Sequence, residues 1–129
     1  MRVTVQVDLN QIAEMGKKSA KIREVLQSSF DDVLTQVFIE SQQLVPVRTG
    51  ALKASGRLVK KPISDRTGFP ETSVEYGDEM VTYAVYVHEN LLDQHAYPTS
   101  AKYLEIPLLR NRENLAKTVQ ERLRVLFRS

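Results

Sequence analysis

The stretch KKSAKIREVLQSSFDDVLTQVFIESQQLVP, residues 17–46, decides the fold. Ile22, Leu26, Phe30, Val33, Val37, Ser41 and Leu44 recur in it at spacings of three or four, the spacing of side chains that share one face of an α-helix. The pattern predicts a long helix from about residue 17 to 44 with a single buried stripe. Pro46 stops it, because the residue before a proline is pushed out of the helical region. Upstream, Asp8 or Asn10 can cap a helical start. Gly16 marks a weak point between that start and the long helix, since glycine costs roughly 1 kcal/mol relative to alanine inside a helix.

Before this region, RVTVQV at 2–7 sets Val3, Val5 and Val7 on one face of an extended strand. After it, VPVRTGALKASGR at 45–57 reads as a glycine-punctuated elbow, and Leu58 and Val59 begin a second extended segment. PISDRTGFPETS at 62–73 carries two prolines and a glycine among polar residues and reads as a long loop or the tip of a hairpin. VEYGDE at 74–79 and VTYAVYVH at 81–88 read as two strands joined by a tight turn, the second with large side chains on both faces. Residues 89–103 look irregular, and Pro107 suits the first turn of a last helix whose stripe is Leu108, Leu115, Val119, Leu123 and Leu126. Arg122, Arg124 and Arg128 fit the carbonyl-rich end of that helix. The expectation is one α+β domain over residues 1–129: a small antiparallel sheet of about four strands packed against a long N-terminal helix and a C-terminal helix.

Length and composition bound the function. With 129 residues the chain is the size of one domain, and without cysteine it has neither disulfides, zinc–thiolate sites nor a thiol nucleophile. MRVTVQVDLN does not read as a secretion signal, and no segment approaches the roughly 18 consecutive apolar residues of a membrane span, so a soluble chain made in a cytoplasm is expected. The net charge is only +2, but it is unevenly placed: residues 47–61 hold five basic and no acidic residues, while 62–101 hold one basic and seven acidic. Opposed patches of this kind orient association with copies of the same chain or a charged neighbour; equally, each is an ordinary solvated face.

The search for chemistry finds no phosphate-binding glycine loop, no metal-ligand spacing and no serine-hydrolase elbow. His88, Glu89, Asn90 and His95 are the residues that would hold a divalent metal or serve as base and acid in a nuclease. They fall at a strand end and in a loop, where surface histidines are ordinary. Lys60, Lys61 and the arginine-rich last helix offer a footprint for nucleic acid, but no stacking aromatics accompany them and the acidic segment comes directly after. Five tyrosines, Tyr76, Tyr83, Tyr86, Tyr97 and Tyr103, crowd the second half, as at protein interfaces or at the edges of a core. Neither a cofactor nor a metal is expected, and no enzyme activity.

VPVRTGALKAS at 45–55 resembles the proline, two residues, Thr-Gly-x-Leu-x-x-Ser motif of the tailed-bacteriophage tail-completion family, whose members are also called neck, head-tail joining or minor tail proteins. YAVYVHEN at 83–90 is similar to that family's Tyr-Ala-x-Tyr-Val-x-Glu-Gly motif, and KYLEIPLLRNREN at 102–114 to its aromatic-leucine pair followed by a helix-opening proline. The matching positions are Pro46, Thr49, Gly50, Leu52, Ser55, Tyr83, Ala84, Tyr86, Val87, Glu89 and Pro107. Three positions depart from the pattern: Arg48 stands where an acidic residue is common, Asn90 where glycine is, and Lys102-Tyr103 where a proline-phenylalanine pair is.

The resemblance implies a non-enzymatic virion protein of a phage or prophage that completes the tail end and joins it to the head connector. Such a protein is made in the host cytoplasm and works as a wedge in a ring, commonly of six copies, between connector or stopper and tail tube or terminator. DNA passes through such a ring without specific recognition, and no membrane is involved. In the elbow, Thr49 caps a helical turn that Gly50 opens, Leu52 anchors it and Gly56 releases the chain into the next strand. Arg48, Arg57, Lys60, Lys61 and the loop around Phe69 are the expected partner contacts. That loop is expected to order on assembly. The competing expectation, from another class, is a small basic nuclease or RNA-binding toxin-like protein using the histidines and arginines.

Overall fold

A computed structural model of the chain describes residues 2–3, 9–47, 50–63, 65–66, 68–78, 84 and 102–128. Two long helices dominate it. In chain order the elements are β1 (Arg2–Val3), α1 (Asn10–Gly16), α2 (Ala20–Leu44), α3 (Ala51–Ala54), β2 (Arg57–Val59), β3 (Ser73–Glu75) and α4 (Glu105–Arg128).

Gly16 ends α1, so the first helical region is two helices. Leu9 occupies the N-cap of α1 without a side-chain cap, in place of the expected Asp8 or Asn10. Ser19 caps α2, its hydroxyl accepting from the Ile22 amide at 3.5 Å. At the other end Val45 is extended (φ −63, ψ 131), as the adjoining Pro46 requires. The predicted stripe is buried from Ile22 through Ser41, with Leu44 half-buried. Helix α4 begins two residues before Pro107 and buries Pro107, Asn111, Leu115, Val119 and Leu123 along one face. Contacts of Arg122 with Asp32 and of Asn111 with Glu40 fix α4 antiparallel to α2.

The sheet is smaller than the sequence led us to expect. The described residues contain three strands of two or three residues each, ordered β1-β3-β2 and antiparallel throughout. Arg2 lies opposite Glu75 and Val3 opposite Val74, while Arg57, Leu58 and Val59 lie opposite Glu75, Val74 and Ser73. The α+β expectation with about four strands is therefore corrected: the described residues are mostly helical, with a minor sheet. The strand expected over 81–88 lies outside the described residues except Ala84, which is helical and buried.

The core forms where α2, α4, the elbow and β3 meet. Leu26, Leu34, Val37, Val45, Val74, Tyr76, Tyr103, Leu104, Leu115 and Val119 are all buried there. Residues 68–70 of the long loop belong to the same body. Gly68 and Pro70 are buried, and the Phe69 ring lies 6.4 Å from that of Phe30 at a tilt of 49°. Where the loop enters β3, the Thr72 hydroxyl donates to Asp31 Oδ1 at 2.7 Å, and Gln27 Nε2 donates to the same oxygen at 2.9 Å. The Thr72 bond joins loop to helix and is worth on the order of 1 kcal/mol net, while Gln27, one turn earlier on α2, holds the Asp31 carboxylate in place.

Candidate interaction surface

The elbow is built from its backbone requirements. Gly50 sits at φ 80 and ψ −14, a left-handed conformation that costs other residues energy, and the single turn α3 starts from it. Leu52 on that turn is buried in the core. Ser55 closes the turn: its hydroxyl donates to the Leu52 carbonyl at 2.6 Å and accepts from the Gly77 amide at 2.9 Å, tying the elbow to the end of β3. Gly56 then passes against the Tyr76 ring so closely that a Cβ there would stand 2.5 Å from the ring edge and 2.4 Å from Gln42 Nε2.

Tyr76 organises what lies beneath. Its hydroxyl is hydrogen-bonded to Ser41 Oγ at 2.8 Å and accepts from Gln42 Nε2 at 2.7 Å, and the same Gln42 nitrogen donates to the Lys53 carbonyl at 3.1 Å. The Tyr103 ring meets the Tyr76 ring edge-on, with centroids 5.2 Å apart. Tyr103 donates its hydroxyl to the Ala84 carbonyl at 2.7 Å. Burial raises the phenol pKa of both residues: in Tyr76 the hydrogen bonds with Ser41 and Gln42 oppose the rise, and in Tyr103 the neighbouring Tyr76 adds to it. Lys102, just before, takes a left-handed backbone (φ 58) that turns the chain into α4.

Parts of all three sequence blocks are thus brought together. Leu52 from the first, Ala84 from the second and Tyr103 and Leu104 from the third belong to one core cluster, although they are far apart along the chain. Pro46 is half-buried at the end of α2, and Pro107 is buried in the first turn of α4. Arg48, Thr49, Tyr83, Tyr86, Val87, Glu89 and both histidines fall outside the described residues. The contribution of Tyr76 has no motif to announce it; in the sequence it is a lone aromatic seven residues before Tyr83, one tyrosine of five.

The basic residues divide into two kinds. Arg57 is engaged within its own chain: Nη1 donates to the carbonyls of Ser55 and Gly77, both at 2.9 Å, and Nε lies 3.9 Å from the Glu75 carboxylate. Its guanidinium staples the elbow to the end of β3. Lys60 and Lys61 are exposed, with no ion pair among the described residues, and exposed Pro62 comes next. Phe69 is half-buried against Phe30, so only part of its ring faces outward.

Among the described residues no group of three His, Asp or Glu side chains is placed to hold a metal ion. No helix among them is long and apolar enough to cross a membrane. What the surface offers is an elbow tied to the sheet, followed by β2 and, directly after it, two exposed lysines. Comparison of the chain with protein-family models, with curated proteins and with solved structures found no match.

Proposed function

We propose that this chain is a non-enzymatic virion protein of a phage or prophage that completes the tail end and joins it to the head connector as one subunit of a ring. One observation carries the reading: Leu52, Ala84 and Tyr103, one from each of three separated motif blocks, pack in one core, with the Tyr103–Ala84 hydrogen bond tying the third block to the second and the Ser55–Gly77 bond tying the first to the end of β3. Side chains invested in fixing the angle between a long helix, an elbow and a second helix suit a subunit whose task is shape. Lys60 and Lys61, exposed on that frame, supply charge for orienting a neighbour at modest cost, since they stay solvated until contact.

The test is genetic and structural. In a phage or inducible prophage carrying this gene, its deletion should leave heads and tails that accumulate separately under the electron microscope, and a plasmid copy should restore joined particles. A Lys60→Glu, Lys61→Glu double variant should fold normally yet restore joining poorly. Normal virions from the deletion would refute the reading, as would purified protein that cleaves nucleic acid or binds it with steep salt dependence.

A further inference from the structure

Two exposed apolar features lie at opposite ends of the α2/α4 pair. The first is the C-terminal half of α2 together with residues 45–47. Residues 33–47 contain a single charged side chain, Glu40, in a chain of which 26% is charged. The outward side of this stretch presents Gln36, Ile39 and Gln43, with Val47 just beyond, and Ile39 and Val47 are 48% and 54% exposed. Glu40 itself accepts hydrogen bonds from Asn111 and Gln36. A surface depleted in charge with apolar side chains at its centre has the composition of a protein interface.

The second is the last turn of α4. Leu115, Val119, Leu123 and Phe127 succeed one another at intervals of four on the core face, and their exposure runs 0%, 0%, 9% and 62%. The buried stripe therefore emerges from the core at Phe127, with its ring in water. Exposed Arg124 and Arg128 flank it, and no acidic residue occurs in 122–128. The antiparallel contacts place Ile39 near the level of Asn111, so Phe127 lies about 24 Å away along the helix axis at 1.5 Å per residue. One cannot cover the other within the same chain.

We infer that Phe127 and its arginines dock on the Ile39 face of a second copy of this chain in a head-to-tail contact. Two different, separated patches on one subunit are what a head-to-tail interface needs, and a self-complementary two-fold contact would bury one patch against itself. The chemistry matches in kind and in sign: an aromatic with two exposed arginines meets a charge-poor apolar face whose single charge, Glu40, is a carboxylate. The inference rests on the ring reading only for its expectation of a head-to-tail assembly, and it assigns the contact to these helices.

Analytical ultracentrifugation of the full chain over a concentration series tests it. The wild type should associate with rising concentration, and Ile39→Glu or Phe127→Glu alone should weaken association by about 30-fold or more, the loss typical of a central interface residue. Both sites are largely exposed, so circular dichroism should show both variants folded. An equimolar mixture of the two variants retains one intact patch of each kind and should form a dimer and nothing larger. A wild type that stays monomeric, variants that associate like the wild type, or a mixture that stays monomeric would each overturn the inference and leave the Phe127 face to a different partner or to another part of this chain. The virion reading fails separately: a chain that self-associates in this way but is dispensable for joining keeps the contact and loses the function, and a monomer required for joining does the reverse.

Discussion

At the residue scale, the two elbow glycines serve for different physical reasons, and their substitution should separate those reasons. Gly50 has open space where a Cβ would go but a φ of 80, so Gly50→Ala should cost about 1 kcal/mol, the strain of a left-handed residue. Gly56 lies under Tyr76, and an added Cβ 2.4 Å from Gln42 Nε2 must push apart the amide that serves both Lys53 and Tyr76. Gly56→Ala should therefore cost about 2–3 kcal/mol, as overpacking and a disturbed hydrogen bond combine. Urea denaturation should show the larger fall in midpoint for Gly56→Ala, with the slope unchanged in both. Arg57 gives a second test. One nitrogen, Nη1, donates to both the Ser55 and the Gly77 carbonyl while Nε lies 3.9 Å from Glu75, and a lysine, with a shorter reach and a single nitrogen, cannot keep all three contacts. Arg57→Lys and Arg57→Ala should both lose about 1 kcal/mol, a figure discounted for the exposure of this side chain. A lysine variant as stable as the wild type would show that charge alone matters there.

At the element scale, the contact between α2 and α4 holds one polar pair inside and one outside. Asn111 is 3% exposed, and its amide donates to Glu40 Oε2 at 2.7 Å and to the Pro107 carbonyl at 2.8 Å. Arg122 donates to Asp32 at 2.6 Å and to Ser28 at 3.0 Å, but on the surface. Distance alone would rank the arginine pair first; solvent reverses the order, because an exposed ion pair gives back most of its Coulomb energy to hydration and side-chain entropy. Double-mutant cycles should give about 1 kcal/mol of coupling for Asn111 with Glu40 and less than about 0.5 kcal/mol for Arg122 with Asp32. Equal couplings would mean that the inner pair is no better shielded than the outer. Both helices are legible in the sequence because a 25-residue and a 24-residue element repeat the 3.6-residue period many times, and Gly16, Pro46 and Pro107 punctuate them. The sheet is not legible, since strands of two or three residues complete scarcely one alternation and give a period-two pattern nothing to repeat. VEYGDE reads as a six-residue strand, yet pairing in β3 ends at Glu75 and Tyr76 turns inward to Ser41 and Gln42.

At the scale of the whole molecule, the elbow is legible from its glycines and its proline, whereas the tyrosine pair that locks it to α4 is not. Tyr76 and Tyr103 meet through tertiary packing, and no local spacing encodes an edge-on contact between residues so distant in the chain. That pair gives the fold a pH limit. Both phenols are held above their ordinary pKa of about 10, burial being the main cause, so the folded chain keeps a proton on each where the unfolded chain has begun to lose it. The folded state binds more protons above the unfolded pKa, and stability must then fall as pH rises. The contribution is fully present below about pH 10 and declines above it, by up to about 1.4 kcal/mol per pH unit for each phenol still protonated in the folded chain. Urea midpoints measured from pH 8 to pH 11 should be level with respect to these groups up to about pH 9.5 and drop beyond it. Tyr103→Phe removes one of the two protons from this balance. The variant should be less stable at neutral pH, having lost the hydrogen bond to Ala84, yet its decline above pH 10 should be shallower by about one proton's worth of slope. An alkaline decline as steep in Tyr103→Phe as in the wild type would place the limiting ionisation elsewhere and remove Tyr103 from the account.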